Sequence, residues 1–152
     1  MKQFKDMKRI VIKVGSSTLS HAHGGLNLRK IDQLAMVLSD LKNSGKEIVL
    51  VTSGAVSAGM AKLQMSKRPT QMREKQAAAS MFIYDKFFSQ YGSKIAQLLL
   101  TKTITENSIL RDNAINTLET LFELAVIPIV NENDSIAVDE ITYGDNDTLS
   151  AL

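Results

Sequence analysis

The chain has 152 residues, 44% hydrophobic and 22% charged, with a formal net charge of +2. So ordinary a balance gives no ground for nucleic acid or an acidic membrane as partner, and the lack of cysteine excludes a disulfide framework and thiolate chemistry. No apolar run approaches the ~20 residues that span a bilayer, and MKQFKDMKRI leads into a short strand instead of a signal-peptide core, so a soluble, cytoplasmic chain of one domain is expected.

The first strand is RIVIKV (9–14), and the loop after it reads KVGSSTL. Lys13 offers a point charge there, and Gly15, Ser16 and Ser17 let backbone amides come close to an anion. A plain strand-to-loop turn accounts for the same residues. The Walker A pattern is absent. HAHGG follows, and its His21 and His23, with no Cys, Asp or Glu beside them, read as exposed and not as metal ligands. Leu28, Ile31, Leu34, Ala35, Leu38 and Leu41 keep helical spacing, and Gly45 is placed to end that helix.

The second strand, EIVLVT (47–52), runs into TSGAVSAGM. Thr52, Ser53 and Gly54 form a second small-residue turn after a strand, either an anion cradle or the cap of a helix. KRPTQMREK reads as an exposed connection, and Met60, Met65 and Met72 as fillers of gaps. A helix is predicted from about Gln71 to Tyr91, a strand at IAQLLLT (95–101), and a helix from about Asn107 to Leu124 with Ile115, Leu118, Leu121 and Phe122 on one stripe. The last strand, AVIPIVN (125–131), delivers NENDS and then YGDNDTLSAL. Asp134 and Asp147 could partner an ammonium group, and Asn131 and Asn146 a carboxylate, which together suit an amino acid. A solvated acidic hairpin is the alternative. The glycine and closing Glu of an EF-hand loop are missing.

Strands alternating with helices predict an α/β fold with a mostly parallel sheet, helices on its faces, and ligands bound beyond the carboxyl ends of the strands. The final LSAL carries no helix stop, so the chain is expected to be truncated.

Six stretches in order, IVIKVGSSTL, IVLVTSGAVSAGM, EKQAAA, IAQLLLT, NAINTLETLFELAVIPIVNEND and YGDNDTLSAL, resemble the amino acid kinase family over nearly the whole chain. The resemblance implies a three-layer αβα sandwich of which residues 1–152 form the N-terminal, substrate-binding part, ahead of an ATP-binding lobe. It also implies the branch that phosphorylates the side-chain carboxylate of L-glutamate to glutamyl 5-phosphate in proline biosynthesis, using ATP and Mg2+. In that reading Lys13 contacts the transferring phosphoryl group, with Gly15 and Ser16 beside the phosphates. Ser53, Asp134 and Asn146 bind glutamate, Gly54 and Asn131 line the same wall, and Asp147 orients the catalytic lysines. Proline as a feedback inhibitor and a homo-oligomer, dimer or tetramer, come with the resemblance.

Two departures stand out. The family has a Gly-Gln pair after EKQAAA where this chain reads SMFIYDKFF, and the ATP-site segments of the family fall beyond Leu152. The chain alone is therefore expected to be inactive. A non-catalytic sensor of glutamate or proline is the competing function.

Overall fold

The computed structural model describes residues 6–23, 25–52, 73–132 and 150–151. Within them lie four strands, β1 (Arg9–Val14), β2 (Glu47–Thr52), β3 (Lys94–Leu100) and β4 (Val126–Glu132). Three helices join them: α1 (Leu28–Asn43), α2 (Arg73–Gln90) and α3 (Ser108–Glu123). The strands form one parallel sheet in the order β1-β2-β4-β3.

Alternation of side chains across the sheet builds a core on each face. Ile48 and Leu50 of β2, with Ile127 and Ile129 of β4, pack against Ile31, Ala35 and Leu38 of α1 and Tyr84 and Phe88 of α2. Val49, Val51 and Val130 point the other way, onto Leu118 and Phe122 of α3. The connections that advance across the sheet thus put their helices on one face, and the one that returns puts its helix on the other, as a single crossover hand requires. A three-layer αβα arrangement results. It explains why IVLV (48–51) of β2 is an unbroken apolar run: both of its faces are covered. Pro128, which has no N–H to donate, lies one residue before the β2–β4 partners Leu50↔Ile129 and Val51↔Val130.

The helices stop for identifiable reasons. At the end of α1, Gly45 has φ 89°; its N–H bonds to Lys42 O, and that of Lys46 to Leu41 O. Gly92, with φ 67°, repeats the pattern after α2 through Gly92 N–H to Ser89 O and Ser93 N–H to Phe88 O. Both are Schellman closures, which need the left-handed backbone that glycine adopts without strain. At the start of α3, Asn107 Oδ1 accepts from the N–H groups of Ile109 (3.0 Å) and Leu110 (3.2 Å).

Several boundaries differ from the sequence reading. Ala125 is not the first residue of β4; it follows α3 with φ 53° and donates its N–H to Phe122 O. The third strand begins at Lys94 and ends at Leu100, and the chain then turns through a short 3-10 segment, Lys102–Thr105. Ile115 is off the buried stripe of α3: Ala114, Leu118 and Phe122 face inward, and Ile115 is exposed.

At the amino end of the sheet, Arg9 ties three elements together. Its Nη1 and Nη2 donate to the two carboxylate oxygens of Glu119 on α3 (2.7 and 3.0 Å), and its Nε donates to Glu47 of β2 (2.9 Å). The guanidinium lies 4.5 Å from the centre of the Phe122 ring.

Candidate functional site

The carboxyl ends of the strands are level. Val14 pairs with Thr52, Val51 with Val130, and Leu99 with Asn131. Lys13, exposed and in register with Val51, and Asn131, which is buried, therefore reach the same end of the sheet. One strand separates theirs, a spacing of about 10 Å between backbones. They leave opposite faces: Lys13 shares the α3 face with Val51, and Asn131 shares the α1 and α2 face with Ile129.

Gly15 directly follows β1. Its backbone is extended, φ -72° and ψ 155°, a conformation open to any residue. Among the described residues, a Cβ added there would meet nothing nearer than Ser17 Oγ at 3.9 Å. The backbone itself therefore does not require glycine at position 15. Ser16 opens a short 3-10 turn, Ser16–Leu19. His21 and His23 are exposed, as expected. Ser53, Gly54, Asp134, Asn146 and Asp147 lie outside the described residues. Among the described residues no group of His, Cys, Asp or Glu could hold a metal ion, and no helix is long and apolar enough to cross a membrane.

A polar group that the sequence reading passed over lies under the strand tips on the α1 and α2 face. Thr52, fully buried at the end of β2, and Tyr84 of α2 place their hydroxyl oxygens 3.4 Å apart. Burial pushes the Tyr84 phenol above its ordinary range, and the contact with Thr52 pulls the other way. Gln97 of β3, in register with Ile129, has a buried Nε2 with no hydrogen-bond partner among the described residues. The signal was present in the sequence as a Tyr at a position that helical spacing pairs with Phe88, and as a Gln inside KIAQLLL.

Sheets of this parallel αβα kind bind their ligands beyond the carboxyl ends of the strands, the end at which Lys13, Gly15 and Asn131 stand. The family model described as "Amino acid kinase family" matches residues 8–152, and the chain belongs to that family. Among curated proteins it is similar to the glutamate 5-kinase of Listeria innocua serovar 6a, with 54% identity over 158 residues, covering 97% of this chain and 57% of that protein. The glutamate 5-kinase of Clostridium perfringens (strain 13 / Type A) is 50% identical over 161 residues, with 99% of this chain and 60% of that protein covered. That of Enterococcus faecalis (strain ATCC 700802 / V583) is 49% identical over 160 residues, with 99% and 59% covered. The chain thus spans less than two thirds of the length of these relatives. The aligned stretches are longer than the chain's 152 residues, so the relatives carry residues within the matched region that this chain lacks.

Proposed function

We propose that the protein phosphorylates the side-chain carboxylate of L-glutamate with ATP, and that residues 1–152 form the part of its kinase domain that binds the amino acid. The observation that carries this reading is 54% identity to a glutamate 5-kinase over 97% of the chain. Supporting it are Lys13 and Asn131 at level strand tips and Gly15 directly after β1.

In this reaction an oxygen of the glutamate side chain attacks the terminal phosphorus of ATP, the bond to the bridging oxygen breaks, and ADP leaves with the electron pair. The carboxylate is already ionised at pH 7, so no general base is required. The work of the protein is to align the groups and offset charge on the transferring oxygens. Lys13 supplies positive charge to them, next to Gly15 and Ser16. Ser53, Gly54, Asn131, Asp134 and Asn146 hold the amino acid, with the Asp134 carboxylate facing its ammonium group, and Asp147 orients the lysine. Mg2+ would accompany the nucleotide and offset the charge of its phosphates. Proline as a feedback ligand, a homo-oligomeric assembly and a cytoplasmic setting belong to the same proposal.

Isothermal titration of L-glutamate into the 152-residue protein tests it. Saturable 1:1 binding is expected, abolished by Asp134→Ala, with no ADP formed when Mg-ATP is added. Absence of glutamate binding by the unsubstituted protein, or equal binding by the variant, would overturn the assignment.

A further inference from the structure

We draw no further inference here: the strongest candidate, the α3 side of β1, where Val11 stands exposed on the face it shares with Val49, carries nothing, because nothing in the structure shows what covers it.

Discussion

Arg9 shows how much one exposed side chain can connect. Its partners Glu47 and Glu119 come from β2 and α3, and Lys8 adds a second cation on Glu47 at 2.9 Å. The hydrogen bonds from Arg9 hold the Glu119 carboxyl below its usual range, since they favour its charged form. The folded pKa is the lower one, so Glu119 adds stability fully above the unfolded carboxylate pKa and loses it as pH falls through the folded value. Glu119→Gln should therefore lower the melting temperature at neutral pH and low salt. The difference from the parent should shrink on acidification, and also near 1 M salt, where screening reaches about 3 Å. A difference unaffected by either condition would mean that the side chain matters for packing and not for charge. None of this could be read from RIVIKV, because the partners of Arg9 lie 38 and 110 positions away.

At the scale of elements, the four apolar runs and three helical patterns were legible because each obeys a period that burial imposes. The β1, β2 and α1 segments coincide with the expectation, and Gly45 ends α1 as anticipated. The junction of α3 and β4 was misread for a physical reason. A helix normally announces its end with glycine, and here Ala125 takes the left-handed conformation instead, so the run AVIPIV seemed to be strand from its first residue. That conformation costs a residue with a Cβ about 1–2 kcal/mol, of which the greater freedom of glycine in the unfolded chain returns roughly half. Ala125→Gly should accordingly stabilise the protein by about 0.5–1 kcal/mol, raising the urea midpoint at constant slope. A lowered midpoint would show that the methyl group contributes packing that outweighs the strain. Ile115 was misassigned for a related reason: several phases of one apolar period compete on α3, and only its docking on β2 and β4 selects the stripe of Ala114, Leu118 and Phe122.

For the molecule as a whole, β2 and β4 contribute to the cores on both faces, which couples the layers. Leu50, completely buried in β2, should cost about 2–5 kcal/mol on replacement by alanine. Tyrosine fluorescence and far-ultraviolet circular dichroism should report one common midpoint for that variant; two separated transitions would mean that the faces unfold independently. The carboxyl end of the sheet, where ligands of such folds bind, was legible from strand–helix alternation alone, and Lys13, Gly15 and Asn131 stand at or just past that end. That Lys13 and Asn131 leave opposite faces was not legible. It depends on the register between strands far apart in sequence, which no local pattern encodes.

The strand order β1-β2-β4-β3 also has a bearing on biosynthesis. The ribosome makes β4 after the other three, yet its place is between β2 and β3, 79 positions after its partner on β2. Until Val126–Glu132 has emerged, the nascent polypeptide holds two unjoined pieces whose facing edges offer open backbone groups to any passing strand. Closing so long a loop is slow, and in this interval the open strand edges are exposed to aggregation.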